Sequence, residues 1–239
     1  MLVVLIGRAT RLARFVEAQA KTYLATVRLG QRTATDDLTG KPVGEAKDVS
    51  HVGRAEIEVA LTQFIGTHQQ RPPAYSARHV GGERAYARAR RGEVVELPAS
   101  EVTIYRLELV SVESPRATFR ITVSAGTYVR ALARDLGERL GVGAHLDALR
   151  RESVGALRVE DAISLEAVGP GTQPWPLGVV LSHLPMVTVD GPGREDVVHG
   201  RPVPGTVIGT AALLHEGVVI AVAEGDGAWL SPRVVLETP

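Results

Sequence analysis

Residues 117–141, ATFRITVSAGTYVRALARDLGERLG, predict a strand, a tight turn and a helix in direct succession. Apolar Phe119, Ile121 and Val123 alternate with polar residues, which is typical of a half-buried strand. After the turn, apolar residues recur at helical spacing as far as the stop signal Gly141. Together with the strands and helices predicted on either side, this segment is consistent with an α+β fold.

The residues before this segment predict further strands, helices and loops, separated by glycine and proline. Residues 1–7, MLVVLIG, contain an apolar run too short for a signal peptide or a membrane span, so they predict a buried β-strand. The other predictions are strands over 21–29 and 94–112, helices over 54–65 and 83–92, and loops over 31–40 and 71–82.

A change in composition divides the chain. Glycine and proline are frequent between Gly169 and Pro185, and the residues that follow are Val/Ile-rich runs separated by Gly-rich turns. We therefore predict a main domain over 1–170, a linker over 171–185 and a small β-rich module over 186–239.

Composition excludes several kinds of site. The 239 residues carry no net charge and no cysteine, so disulfides, thiolate nucleophiles and zinc–thiolate sites are excluded. The seven histidines lack paired ligand spacing, and no phosphate-binding loop, dinucleotide fingerprint or nucleophile elbow is present. We expect no metal, no membrane span and a cytoplasmic protein.

Tyr128 and Arg130 are the first candidates for chemistry. They are two residues apart where the strand ends, so in extended backbone their side chains point the same way. An aromatic plane beside a guanidinium can stack on a base and pair with a carboxylate or phosphate. An edge tyrosine beside a solvated arginine is the competing interpretation.

Further candidates lie upstream. Tyr75 is in a loop stiffened by prolines and could be a stacking platform, although loop tyrosines also pack over core edges. A basic stripe on the predicted helix suits a phosphate backbone, although such a stripe can equally be a solvated face. Its members, with two residues just before the helix, are Arg84, Arg88, Arg91, Arg78 and His79. Asp36 and Asp37 are a pair of carboxylates in a loop. Aspartates are typical of turns, so a structural role fits the sequence as well as a catalytic one.

Four collinear stretches resemble the bacterial tRNA pseudouridine synthase B family. They are MLVVLIGRATR, KTYLATVRLGQRTATDDLTG, QRPPAYSARHVGGERAYARARRG and SAGTYVRALARDLGERLGVGAHLDALRR, and together they span roughly residues 1–165. The resemblance implies a mixed, mainly antiparallel sheet with helices, and a C-terminal RNA-binding module of the PUA type over 186–239. It also implies cofactor-free isomerisation of uridine 55 in the T loop of tRNA, and we expect a monomer.

The same resemblance implies roles for individual residues. Tyr75 and Tyr128 correspond to tyrosines that stack on the flipped uridine, Arg130 to the arginine that pairs with the catalytic carboxylate, and Leu149 to a pocket leucine. An unstacked base needs an aromatic partner and a buried carboxylate needs a cation, so these roles are physically consistent. The implied RNA contacts are Lys21, Tyr23, Arg78, His79, Arg84, Arg88, Arg91 and Arg151.

One departure from the family affects the expected activity. The family has a segment resembling GHTGxLDPxAxG, with the catalytic aspartate, before the stretch that corresponds to MLVVLIG. The first aspartate of this sequence is Asp36, which corresponds to a different family loop. We therefore expect Arg130 to face an empty position and the 239 residues alone not to catalyse. The alternatives are that Met1 is an internal methionine of a longer active enzyme, or that the chain is a non-catalytic tRNA-binding protein.

Overall fold

The computed structural model describes residues 1–95 and 97–237. The chain forms two compact units: one is Ala20–Glu152, and the other combines Met1–Gln19 with Ser153–Pro239. These units differ from the predicted domains, because the first residues of the chain pack with the later ones and residues 153–170 belong with the C-terminal part.

Fifteen strands and six α-helices lie in the described ranges. The strands are β1 Lys21–Leu29, β2 Arg32–Thr33, β3 Pro42–Val43, β4 Gly66–Gln70, β5 His79–Val80, β6 Glu83–Arg84, β7 Ser100–Glu113, β8 Arg116–Val123, β9 Ala144–Val154, β10 Leu157–Arg158, β11 Met186–Thr188, β12 Val203–Pro204, β13 Ile208–His215, β14 Val218–Asp226 and β15 Trp229–Val235. The helices are α1 Ala13–Glu17, α2 Arg54–Thr62, α3 Ala85–Arg90, α4 Val129–Arg139, α5 Leu177–Val180 and α6 Gly191–Val198.

The larger sheet has the strand order β10-β9-β1-β8-β7-β4. Strand β1 pairs with β8 in antiparallel register from Lys21↔Val123 to Arg28↔Arg116, and β7 pairs antiparallel with both β8 and β4. The α+β class with a mainly antiparallel sheet is therefore confirmed.

One face of this sheet is apolar because its strands alternate. Phe119 and Ile121 of β8 are fully buried, as the alternation predicts, and helices α2 and α4 contribute Ile57 and Leu132 to the same core. Burying one such side chain contributes roughly 1.5–3 kcal/mol. Apolar contact thus holds the N-terminal end of α4 at the end of β8, where the predicted tight turn lies.

The other compact unit contains the small β-rich module. Its five strands have the order β11-β13-β14-β15-β12, with β11 parallel to β13 and antiparallel pairing elsewhere. Val197 of α6, Leu213 of β13 and Leu230 of β15 are buried together. The predicted C-terminal β module of the PUA-like kind is confirmed. The predicted linker is partly ordered, since α5 buries Val180.

The strand predicted over residues 1–7 is wrong. Residues 1–6 have no regular secondary structure, and a 3₁₀ helix spans Gly7–Leu12. Met1, Val3 and Leu5 pack against a small apolar cluster, whereas Leu2, Val4 and Ile6 are 76%, 68% and 73% exposed. Burial therefore alternates along the segment, but the segment pairs with no strand in the described part of the chain. Apolar alternation alone does not provide a neighbouring strand for hydrogen bonding.

Two other boundaries also differ from prediction. The helix predicted over 83–92 is only the six residues of α3, since residues 83–84 pair with 79–80 in a hairpin. The strand region over 94–112 contains the single strand β7, which begins at Ser100. No helix among the described residues is long and apolar enough to cross a membrane.

Candidate active site

Gln70 fixes the N-terminal end of α4. Its side-chain Oε1 accepts a hydrogen bond from the Tyr128 backbone N–H at 2.8 Å, and its Nε2 donates to the Tyr128 carbonyl at 3.1 Å. Gln70 is 3% exposed at the end of β4. This paired amide contact positions the residue that caps α4, because both backbone groups of Tyr128 are held at once.

Arg130, two residues later, is held by three acceptors. Its guanidinium donates to Asp37 Oδ2 at 2.9 Å, to the Thr35 carbonyl at 3.3 Å and to the Tyr75 carbonyl at 2.9 Å. The expectation that Arg130 faces an empty position is therefore wrong. The loop carboxylate Asp37, 93 residues earlier in the chain, is a partner of Arg130.

Asp37 is the most heavily hydrogen-bonded carboxylate of this region. Its Oδ1 accepts from the Thr35 hydroxyl at 2.6 Å, the Thr39 hydroxyl at 2.6 Å and the Thr39 backbone N–H at 3.0 Å. Burial acts to raise the pKa of Asp37, but these hydrogen bonds and the one from Arg130 outweigh it, so the pKa is lowered. Asp37 is therefore a fixed anion whose two oxygens are both engaged.

A second ion pair lies one helical turn further along α4. Arg134 donates to Asp36 Oδ2 at 3.1 Å and to Asp135 Oδ1 at 2.8 Å, and both Arg134 and Asp36 are largely buried. Burial raises the pKa of Asp36 despite the opposing effect of Arg134. Adjacent loop aspartates thus pair with arginines at i and i+4 of one helix, which anchors the loop to α4 at two points.

The side chains around Arg130 line a cavity of about 620 Å³. Three predicted site residues, Tyr75, Tyr128 and Arg130, meet in its wall. The full lining is Thr35, Asp37, Thr39, Tyr75, Ser76, Ala77, Tyr86, Arg90, Tyr128 and Arg130. Aromatic rings beside a neutralised arginine–carboxylate pair can accommodate a flat, hydrogen-bonding base.

The other predicted site residues do not line this cavity. Leu149 is 46% exposed on β9, and Tyr23 packs against the core of the larger sheet. Lys21 lies on β1 and Arg151 on β9, while His79 and Arg84 belong to the β5–β6 hairpin, with Arg78 immediately before it. The RNA contacts proposed for these residues remain predictions.

The predicted basic stripe is divided by ion pairs. Arg88 pairs with Glu93, and Arg91 pairs with Glu83 and Glu93, so two stripe members are engaged within the protein. The guanidiniums of Arg84 and Arg90 instead lie 6.0 and 5.4 Å from the ring centroid of Tyr86. The predicted stripe is not continuous because α3 is short. Arg84 and Arg91 are its N-cap and C-cap and not residues within the helix.

Sequence reasoning missed Gln70, Ser76, Tyr86 and Arg90. Ser76 and Tyr86 lie in stretches that were already singled out, so their place beside Tyr75 was within reach. Gln70 carried no signal, because an amide clamp on a residue 58 positions away depends on the packing of β4 near α4. No group of three or more potential metal ligands occurs in the part of the chain that the structure describes.

The chain matches known proteins over most of its length. Residues 1–129 match the family model described as TruB family pseudouridylate synthase (N terminal domain), and residues 130–173 match the tRNA pseudouridylate synthase B C-terminal domain. Two relatives named tRNA pseudouridine synthase B come from Synechococcus sp. (strain CC9311) and Thermobifida fusca (strain YX). The first is 41% identical, with 99% of this chain and 84% of the relative covered. The second is 40% identical, with 98% and 84% covered.

Solved structures show the same fold at lower identity. A chain of a Cbf5-Nop10-Gar1 complex matches with a TM-score of 0.73 and 22% identity, covering 98% of this chain and 71% of that one. A chain of an H/ACA RNP bound to a substrate RNA containing 2'-deoxyuridine matches with a TM-score of 0.71 and 20% identity, covering 97% and 70%. With the family matches, these likenesses lead to one conclusion: the chain belongs to the TruB family of pseudouridylate synthases.

Proposed function

We propose that this protein is a synthase of the kind that converts uridine 55 in the T loop of tRNA to pseudouridine, although the 239 residues do not include the family's catalytic aspartate segment. The observation that supports the proposal is the cavity in which Tyr75, Tyr128 and Arg130 meet. The relatives named tRNA pseudouridine synthase B act, by that name, on tRNA. A uridine flipped out of its stack would enter the cavity with an aromatic ring against its face.

The isomerisation needs no cofactor. The bond between ribose C1' and uracil N1 breaks, the base rotates, C1' bonds to C5, the C5 proton is released to water, and N1 takes up a proton from water. Tyr128 and Tyr75 stack on the base, and Arg130 orients and neutralises carboxylate charge beside it. Leu149 completes the pocket when RNA is bound, and the C-terminal module and the exposed arginines contact phosphates. The protein works in the cytoplasm as a monomer on the T-arm.

A non-catalytic tRNA-binding protein is the second candidate. It is favoured by the state of Asp37, the one carboxylate that lines the cavity within the described ranges. Three hydrogen bonds on Oδ1 and the ion pair of Oδ2 with Arg130 hold Asp37 in place and lower its pKa, which makes it a weaker base or nucleophile than a free carboxylate. Under this alternative the 239 residues retain RNA affinity and do not turn over uridine.

Tritium release separates the two candidates. The purified 239-residue protein is mixed with T-arm RNA tritiated at C5 of uridine, and tritium in water is measured. Release that is lost when uridine 55 is replaced by cytidine supports the synthase. RNA binding without release, with affinity that decreases as salt rises, supports the binding protein. If neither release nor binding is detected at low salt, both candidates are wrong.

A further inference from the structure

Ser76 is one of the residues that line the cavity, and its buried hydroxyl has no hydrogen-bond partner among the described residues. The residue is 3% exposed. Its backbone carbonyl accepts from the Tyr86 N–H at 3.0 Å, so the loop that carries Ser76 is tied to α3. A buried hydroxyl without a partner gains free energy when an acceptor atom reaches it, so Ser76 could donate to an acceptor that enters the cavity.

Arg90 brings a positive charge to the same wall. It makes no ion pair or hydrogen bond with the residues that the structure describes, unlike its neighbours Arg88 and Arg91. Its guanidinium lies 5.4 Å from the ring centroid of Tyr86, which restrains the guanidinium by a cation–π contact. The Tyr75 hydroxyl, which donates to the Ala89 carbonyl at 3.4 Å, further ties this end of α3 to the Ser76 loop.

The charges of the cavity do not cancel. Its charged lining residues are Asp37, Arg90 and Arg130. Asp37 and Arg130 form an ion pair. One positive charge therefore remains at Arg90. A neutral uracil base does not require that charge, whereas the backbone next to the base carries one negative charge per phosphodiester.

We propose that Ser76 and Arg90 form a phosphodiester subsite that holds the RNA backbone adjacent to the flipped nucleotide. The guanidinium pairs with the two non-bridging oxygens, and the Ser76 hydroxyl donates to one of them. The inference rests on the proposed function, because it assigns a role to a second part of the same cavity. The subsite would hold the nucleotide by its backbone while the tyrosines contact the base.

The test combines protein variants with single-atom changes in the RNA. T-arm RNAs are made with one neutral methylphosphonate at a time through the T loop, and binding to the full chain is measured at several salt concentrations. Arg90→Gln should weaken binding about tenfold and reduce the salt slope by about one. Ser76→Ala should weaken binding roughly three- to tenfold. Arg106→Gln removes the same charge from an exposed arginine of β7 outside the cavity and should leave affinity within about twofold.

The deciding measurement is whether the loss of affinity caused by a methylphosphonate depends on the protein variant. One methylphosphonate next to uridine 55 should weaken binding to the unaltered chain and have no further effect on Arg90→Gln. If every methylphosphonate weakens both proteins equally, the subsite is wrong while the proposed function stands. If the unaltered chain does not bind the RNA, both are wrong. Ser76→Ala should melt at the same or a higher temperature, since it removes a hydroxyl that has no partner in the free protein, and a lower melting temperature would contradict the assignment.

Discussion

At the residue scale, Asp37 explains why the site is ordered. Its two oxygens accept from Arg130, Thr35 and Thr39, so the loop and α4 share one anion. The sequence predicted that Tyr128 and Arg130 lie on the same side, because period-two geometry is local. It did not predict the partner of Arg130, since that carboxylate lies 93 residues away and becomes a neighbour only after the sheet has formed.

Asp37→Asn should remove a contribution to the free energy of unfolding that the unaltered protein loses at acid pH. The folded-state pKa of Asp37 is lowered below the ordinary value of 3.8, so its ionised form stabilises the fold above that value. This contribution, about 1–3 kcal/mol, is lost as pH falls through the folded-state pKa. We expect the variant to be less stable at pH 7 and to lose less stability between about pH 4 and pH 2.

Urea unfolding across this pH range measures the effect. Asp161→Asn, which makes the same substitution at an exposed residue, is the control and should keep the acid dependence of the unaltered protein. The raised pKa of Asp36 changes the pH dependence of stability in the opposite direction. It does so in all three proteins, so its effect cancels from the comparison. Parallel pH curves for Asp37→Asn and the unaltered chain would refute the assignment.

At the element scale, the end of β4 and the beginning of α4 form one unit through Gln70. Long, periodic elements such as β1, β8 and α4 were predictable because burial follows their repeat. The short strand β4 was not, since GTHQQ has no apolar alternation and owes its conformation to pairing with β7. Residues 1–7 show the converse error, where apolar alternation exists without a paired strand.

Gln70→Leu should destabilise the larger sheet unit. It removes the acceptor of the Tyr128 N–H, which is left unsatisfied at a cost of about 1–3 kcal/mol, whereas the Tyr128 carbonyl still accepts from the Leu132 N–H. Gln69→Leu makes the same change on the exposed side of β4 and should cost less than about 0.5 kcal/mol. Chemical denaturation of both variants provides the comparison, and equal losses would rule out the clamp.

At the scale of the whole molecule, the first nineteen residues belong to the unit formed by the C-terminal part. Arg8 and Arg11 donate to the carbonyls of Leu236 and Val235, and Gln19 donates to the Val180 carbonyl at 3.1 Å. The sequence placed its boundary at residues 169–185 by composition, which detects Gly/Pro-rich stretches. Composition cannot detect contacts between distant segments, so the membership of residues 1–19 was not predictable.

Gly155→Ala should loosen this contact. Gly155 has φ +53°, and a Cβ there would lie 1.6 Å from Gln19 Oε1, so Gln19 must move. We expect a loss of about 1–3 kcal/mol and faster proteolysis of residues 1–19. Gly171→Ala, whose Cβ meets nothing within 4 Å, should behave like the unaltered chain. Unchanged proteolysis of Gly155→Ala would show that the segment is held by other contacts.

The split arrangement of Met1–Gln19 with Ser153–Pro239 has a consequence for synthesis on the ribosome. Residues 1–19 are made before the residues that they pack against, whereas Ala20–Glu152 is continuous and contains its own core. The continuous unit can fold as it emerges, but the opening segment must wait until the C-terminal strands have left the exit tunnel. Nascent chains arrested when residue 152 has left the exit tunnel, but β13–β15 have not, should therefore contain a protease-resistant 20–152 region and an opening segment that is still cleaved.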